Sequence, residues 1–190
     1  VGRSAAQSQL YLLQSQLAEK QGQYQKADEL LQRIDDAPSL LAVQARRAGL
    51  MLKQGRLDEA RALIQAVPAS TAGQQRLKRM AEIQLLKDAK EFKQAYALQS
   101  VLLSEEPQDN ELAYDTAILA ERVGQYDEME KLLRGIIERQ PDFQHAYNAL
   151  GYSYADRGIR LDEAEQLIRK ALELSPGDPF ITDSLAWVKF

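Results

Sequence analysis

The chain has 190 residues, 45% apolar and 27% charged, with a formal net charge of −4. This composition is that of an ordered chain rather than a disordered one, and it excludes a nucleic-acid binder, which needs Lys and Arg gathered on one face. Cysteine is absent, which excludes disulfides, thiol catalysis and cysteine-ligated metals and leaves the compartment open.

From the N-terminus, Val1-Gly2-Arg3-Ser4 has neither an initiator Met nor an apolar signal core. The other end stops inside an apolar pattern, Ala186-Trp187-Val188-Lys189-Phe190. The expectation is therefore a piece of a longer protein, with any signal or lipid-anchor sequence upstream. No window approaches about 18 consecutive apolar residues, so no membrane-spanning helix is expected.

Internal similarity organises the rest. Gly22-Gln23-Tyr24-Gln25-Lys26-Ala27 is followed by Gly55-Arg56-Leu57-Asp58-Glu59-Ala60 and Lys90-Glu91-Phe92-Lys93-Gln94-Ala95. Gly124-Gln125-Tyr126-Asp127-Glu128-Met129 and Gly158-Ile159-Arg160-Leu161-Asp162-Glu163-Ala164 complete the series. The segments end at 27, 60, 95, 129 and 164, spacings of 33, 35, 34 and 35. Pro107, Pro141 and Pro176 follow in phase, 12 residues later. Pro38 falls one residue short of that offset, and Pro68 comes much earlier, so the second repeat should have a shorter second helix or a different exit. Twelve residues upstream of each segment end stand Ser15, Ala48, Ile83 and Ala117, with Gly151 fitting once one extra residue in 158–164 is allowed. Small residues there let two helices approach closely, and Ile83 predicts a splayed pair.

The fifth copy gives the physical reading of a repeat. Tyr147, Leu150 and Tyr154 have helical spacing, and Gly158 then ends that helix in the left-handed conformation. Asp162 can cap the next helix, with Glu163 favoured by its dipole. Ala164, Leu167, Ile168, Ala171 and Leu172 form one face before Ser175-Pro176-Gly177-Asp178-Pro179 turns the chain. Each repeat is thus a helix hairpin that buries its apolar faces only by stacking on its neighbours.

Tyr147, Leu150-Gly151, Tyr154, Gly158, Ala164, Ala171 and Pro176 resemble the tetratricopeptide repeat family. The resemblance implies an all-α, right-handed superhelical solenoid of antiparallel helix hairpins. It covers essentially the whole chain as five repeats, about 7–39, 40–74, 75–109, 110–143 and 144–178, plus the first helix of a sixth at 179–190. It also implies a protein-binding scaffold with no cofactor. A narrower resemblance rests on 150–164 with Asp178-Pro179-Phe180 and Asp183-Ser184-Leu185-Ala186-Trp187. These segments are similar to bacterial envelope tetratricopeptide lipoproteins, one group of which is the adaptor for a carboxyl-terminal processing protease. That resemblance implies a periplasmic protein anchored to the outer membrane and bringing protease and substrates together. A cytoplasmic location is the alternative.

The chemistry of catalysis is missing from the pattern. His145 stands alone and makes a poor metal site, so an exposed or groove-facing polar residue is expected. The glycines are spaced as helix stops and not as a phosphate cradle, and no Gly-x-Ser-x-Gly elbow occurs. Asp58-Glu59, Asp127-Glu128 and Asp162-Glu163 recur at the repeat period at helix starts, which capping explains better than acid–base catalysis. Arg76, Lys78 and Arg79 read as a solvated helix face. An enzyme within these residues is not expected.

In the family the first helices line the inner groove, at positions three before, one after and four or five after the small marker. The three-before set is Leu12, Ala45, Met80, Tyr114, Asn148 and Asp183, and the one-after set is Gln16, Gly49, Gln84, Ile118, Tyr152 and Trp187. The later set is Glu19/Lys20, Leu52/Lys53, Lys87/Asp88, Glu121/Arg122 and Ala155/Asp156. The Lys and Asn clamp with which one branch of the family holds chaperone C-termini is absent. The candidate groove is Gln84, Lys87, Tyr114, Ile118, Arg122, Asn148, Tyr152, Asp156 and Trp187, richest in aromatic and amide groups toward the C-terminal end, as suits an extended peptide or a partner helix. Tyr152 and Trp187 could instead pack between repeats, Trp187 more readily. Two other functions fit the same residues: self-assembly through an apolar face at Leu185, Ala186 and Val188, and attachment to a catalytic domain elsewhere in the protein.

Overall fold

The computed structural model describes residues 2–190, with side chains from residue 4 onward. The helices are α1 (Gly2–Lys20), α2 (Tyr24–Gln32), α3 (Leu40–Lys53), α4 (Leu57–Gln65), α5 (Ala72–Asp88) and α6 (Phe92–Glu105). They continue as α7 (Asn110–Arg122), α8 (Tyr126–Arg139), α9 (Gln144–Asp156), α10 (Leu161–Leu174) and α11 (Pro179–Lys189). A single 3₁₀ turn, Ala37–Ser39, precedes α3, and the described residues contain no strand.

The helices form two compact units, one ending at Glu91 and the other beginning at Phe92. The boundary falls inside the third hairpin, between α5 and α6, in the one repeat whose small marker is replaced by Ile83.

In the first unit α1 packs on α2 and α3 on α4. Ala18, Ala27, Leu31, Val43 and Leu50 form one core, and Ala48, Ala60, Ile64 and Leu85 another. Ser15 is fully buried because its hydroxyl donates to the Ala27 carbonyl at 2.8 Å, which ties the first helix to the backbone of the second. Two ion pairs link successive hairpins: Arg47 Nε to Asp28 at 2.6 Å and Arg61 to Glu82 at 2.8 Å. The expected short second helix is present, since α4 has 9 residues. α2 also has 9, a shortening that Pro38 did not announce, because α2 ends at Gln32 and residues 33–36 lead into the 3₁₀ turn Ala37–Ser39, which contains that proline.

In the second unit each complete second helix, α6, α8 and α10, has 14 residues. One core runs through Ala117, Met129, Leu133, Ile136, Phe143, Leu150, Tyr154 and Ala164. Tyr147, Ile168, Ala171 and Ile181 continue it toward α11. Burying a side chain such as Leu133 or Ile168 stabilises by about 1.5–3 kcal/mol. Gly151 is required by contact. A Cβ there would meet the Ala164 carbonyl oxygen and Ile168 Cγ1, both at 2.8 Å. Tyr154 is buried at the centre of a polar network, its hydroxyl accepting from Arg134 at 2.9 Å and Arg160 at 3.2 Å. Arg134 also donates to Glu163 at 2.7 Å and Glu130 at 3.0 Å, so α8, α9 and α10 are tied together. The Tyr154 hydroxyl, Arg134 and Arg160 hold the Glu130 carboxylate below its usual pKa.

Every hairpin turn uses one hydrogen-bond pattern. Gly22, Gly55, Gly124 and Gly158 all have positive φ, and each donates to the carbonyl three residues back. The next residue donates five back, as Gln125 does to Ala120 and Ile159 to Tyr154. Lys90 holds the same conformation without being glycine, at φ 60°. The extra residue of the fifth copy puts Arg160 into a second left-handed conformation, at φ 46°.

The start of α10 corrects one expectation. Arg160, not Asp162, precedes α10, and no side chain caps it. Asp162-Glu163, like Asp58-Glu59 and Asp127-Glu128, lies in the first turn without a capping hydrogen bond. The pairs stabilise through the helix dipole, because each turn already spends its two preceding residues on closing the glycine bend. Side-chain caps occur where hairpins join: Thr71 in a capping box with Gln74, Asp109 on Leu112, and Asp178 on Phe180 and Ile181.

Candidate functional site

The predicted site residues divide between the two units. Gln84 and Lys87 lie on α5 in the first, Gln84 exposed and donating to Asp88 at 2.9 Å, Lys87 half-buried. The first unit's own groove-type cleft, about 580 Å³, is lined by Glu19, Arg46, Gly49, Leu52, Lys53 and Asp88. Its charges answer one another: Lys53 is bonded to Glu19 at 2.6 Å, which raises the lysine's pKa.

In the second unit the first helices are α7, α9 and α11, and α9 packs against both others. The one-after positions present a row of exposed large side chains, Ile118 (40% exposed), Tyr152 (40%) and Trp187 (55%). Trp187, the residue expected more readily to pack between repeats, is the most exposed of the three. Beside the row run Tyr114, Asn148 and Asp183. Tyr114 is half-buried against Phe143 and His145, at ring separations of 5.6 and 6.0 Å. Burial, with Asp115, Glu121 and Glu111 nearby, keeps the proton on its hydroxyl. His145 is exposed, as expected for a lone histidine. At the far edge Arg122 lies over the Phe92 ring at 4.5 Å, and Asp156 is exposed. Glu121 is pushed above the usual carboxylate pKa by burial and by Asp156.

Between α9 and α11 these residues open into a cleft of about 450 Å³ lined by Asn148, Tyr152, Phe180, Asp183, Ser184 and Trp187. Asn148 Oδ1 is shielded there with no hydrogen-bond partner. The sequence reading missed Phe180, which is 79% exposed. The equivalent positions one and two repeats earlier are His145 and Glu111, so the repeat comparison pointed to a solvated polar residue. A signal was present all the same: Phe180, Asp183, Ser184 and Trp187 follow the i, i+3, i+4, i+7 spacing of one helix face.

The expected self-assembly face is differently made. Leu185 and Val188 pack against Tyr147, Ile168, Ala171 and Ile181, leaving Ala186 exposed. The exposed apolar surface of α11 belongs instead to Phe180 and Trp187. Among the described residues no group of three or more His, Cys, Asp or Glu could hold a metal ion, and no helix is long and apolar enough to cross a membrane.

This arrangement of stacked hairpins with exposed first-helix faces is that of a helical repeat protein. Two tetratricopeptide repeat family models match the chain, over residues 18–82 and 114–179. The chain belongs to the tetratricopeptide repeat family. It is 34% identical over 174 residues to a TPR repeat-containing protein of Pseudomonas aeruginosa, a match covering 92% of this chain and 30% of that protein. The chain thus spans about a third of the length of that curated relative. Among solved structures, a tetratricopeptide repeat protein from Parabacteroides merdae matches with TM-score 0.66 at 19% identity, covering 97% of this chain and 73% of that one. YrrB, described as a TPR protein with an unusual peptide-binding site, matches with TM-score 0.59 at 14% identity, over 92% and 89%. MamA from Desulfovibrio magneticus matches with TM-score 0.60 at 14% identity, over 91% and 97%. These likenesses establish the all-helical repeat fold, a fold that typically serves as a non-catalytic protein-binding scaffold.

Proposed function

We propose that the chain is a non-catalytic adaptor that binds a protein partner along the exposed faces of α7, α9 and α11. The observation that carries this reading is the row Ile118, Tyr152 and Trp187, one large apolar side chain per repeat, all exposed. Aromatic anchors of this kind dominate binding energy at protein interfaces, because each removes much apolar area from water at little entropic cost. The companion residues Tyr114, Asn148, Asp183, Arg122 and Asp156 supply polar contacts at the edge. YrrB, a structural neighbour, carries a peptide-binding site, which supports a groove reading on this fold.

The resemblance of 150–164 and 178–187 to envelope lipoproteins supports a narrower version. In it the protein is periplasmic, tethered to the outer membrane through a lipid signal outside these residues, and brings a carboxyl-terminal processing protease to its substrates. Gln84 and Lys87 on α5 belong to this reading as a second contact region. The test is capture of that protease class from a periplasmic extract by the immobilised chain. The triple variant Ile118→Ala, Tyr152→Ala, Trp187→Ala should lose capture by about tenfold or more while keeping its helical circular dichroism. Undiminished capture by the triple variant would overturn the groove, and failure of the wild type to retain the protease would overturn the adaptor pairing.

A further inference from the structure

The cleft between α9 and α11 has a composition that a plain apolar groove lacks. Three aromatic rings, from Tyr152, Phe180 and Trp187, line it together with the carboxylate of Asp183. All three rings are exposed, so their π faces are open to a ligand. An exposed aromatic face attracts a cation, and more strongly as water is displaced. Asp183 is exposed, and no cation of the described chain is paired with it. Arginines at the ends of α7 and α9 already have aromatic partners. Arg122 lies over Phe92, while Arg157 lies over Tyr126 at 4.4 Å and Tyr154 at 5.6 Å.

We infer that this cleft receives an arginine side chain of the bound partner. The inference rests on the peptide-groove reading above and names the chemistry of one position within it. A guanidinium is planar and weakly hydrated, stacks on aromatic rings, and carries five donors with no acceptor. It can lie against Trp187 or Phe180 while directing N–H groups at Asp183. The first unit's cleft, where Lys53 and Glu19 already pair, has no aromatic ring in its lining.

The test uses the chain's sole tryptophan, Trp187, as its own reporter. A phage library of random dodecapeptides is panned on the wild-type chain. The strongest binder is then synthesised with arginine and with citrulline, its uncharged isostere, and titrated by tryptophan fluorescence. Arginine should be enriched at one position of the selected peptides. Citrulline there should weaken binding about tenfold or more, and in Asp183→Asn the arginine–citrulline difference should shrink to about threefold or less. Phe180→Ala, a change at an exposed side chain, should weaken the arginine peptide more than the citrulline one. Selected peptides without arginine, or an arginine–citrulline difference that survives in Asp183→Asn, would overturn the inference. Peptides that lose binding in Ile118→Ala and Tyr152→Ala yet ignore citrulline would leave the groove standing and remove arginine from it. If no peptide binds, both readings fall.

Discussion

The two compact units solve one packing problem with different means. In the second, 14-residue second helices lay full apolar faces against their partners, and small residues at Ala117 and Gly151 bring the helices close. In the first, α2 and α4 stop after 9 residues. There Ser15 bonds to backbone, and the ion pairs Arg47–Asp28 and Arg61–Glu82 join the hairpins one by one, where the second unit gathers Arg134, Arg160, Glu130 and Glu163 around the Tyr154 hydroxyl. The difference extends to their surfaces: a cleft with a Lys53–Glu19 pair and no aromatic ring in the first unit, three aromatic rings beside Asp183 in the second. A repeat can evidently keep its turn and its marker residues while changing what holds it to its neighbour.

The sharpest way to break this comparison is to cut the same position in both units. Ile136, fully buried on α8, and Ile34, half-buried beyond the end of α2, both follow the segment end by seven residues. Ile136→Ala should cost about 2–5 kcal/mol, as a large core truncation does. Ile34→Ala should cost less than about 2 kcal/mol, because less area leaves water there. Urea midpoints at constant m-value decide it, and equal losses would dissolve the contrast.

Two helix glycines give effects of opposite sign. Gly151→Ala should destabilise by about 1–3 kcal/mol, since the new methyl meets backbone oxygen and Ile168. Gly49→Ala on α3 should stabilise by about 0.5–1 kcal/mol, since open space surrounds the position and glycine is entropically costly in a helix. A destabilised Gly49→Ala in thermal melts would mean that the first unit packs more tightly than its open surroundings at this residue indicate.

The non-glycine left-handed residues sharpen the comparison further. Lys90→Gly should stabilise by up to about 1 kcal/mol, the relief of strain being partly offset by a freer unfolded chain. Arg160→Gly gains the same relief but loses donors to Glu130 and the Tyr154 hydroxyl, so its melting temperature should rise less or fall.

The smallest expected effect is a pH dependence. Glu121 is held above the usual carboxylate pKa by burial and Asp156. A raised pKa in the fold means stability that is fully present below the unfolded value and lost as pH rises through the folded value. Glu121→Gln should remove that decline, raising the melting temperature at neutral pH and leaving it nearly unchanged in acid. A parallel offset at both pH values would show that Glu121 acts by packing alone.

Much of the fold is legible in the sequence because its determinants are periodic. Gly124 and Gly158 end helices where only a left-handed residue closes the turn, and the 34-residue recurrence fixes which helices pair. The short α2 was not legible, because Pro38 lies within a 3₁₀ turn several residues beyond the end of the helix. Nor was the uncapped start of α10: the helix begins one residue before Asp162, as α4 and α8 begin one before Asp58 and Asp127, so the carboxylate falls inside the first turn. At the site, Ile118, Tyr152 and Trp187 follow from repeat phase. Phe180 does not, since it belongs to the face of one helix and has no aromatic counterpart in the repeats before it.

The common turn has a consequence for how such a chain can change over time. Gln125 after α7 and Ile159 after α9 donate to equivalent carbonyls, behind glycines of nearly equal φ. Removing the 34 residues from Gln125 to Gly158 would join Gly124 to Ile159 with the bend intact. A gene that gains or loses one period by unequal crossover thus re-forms a turn it already had, so length can drift in whole hairpins while partner-reading side chains, such as Phe180, diversify one helix at a time.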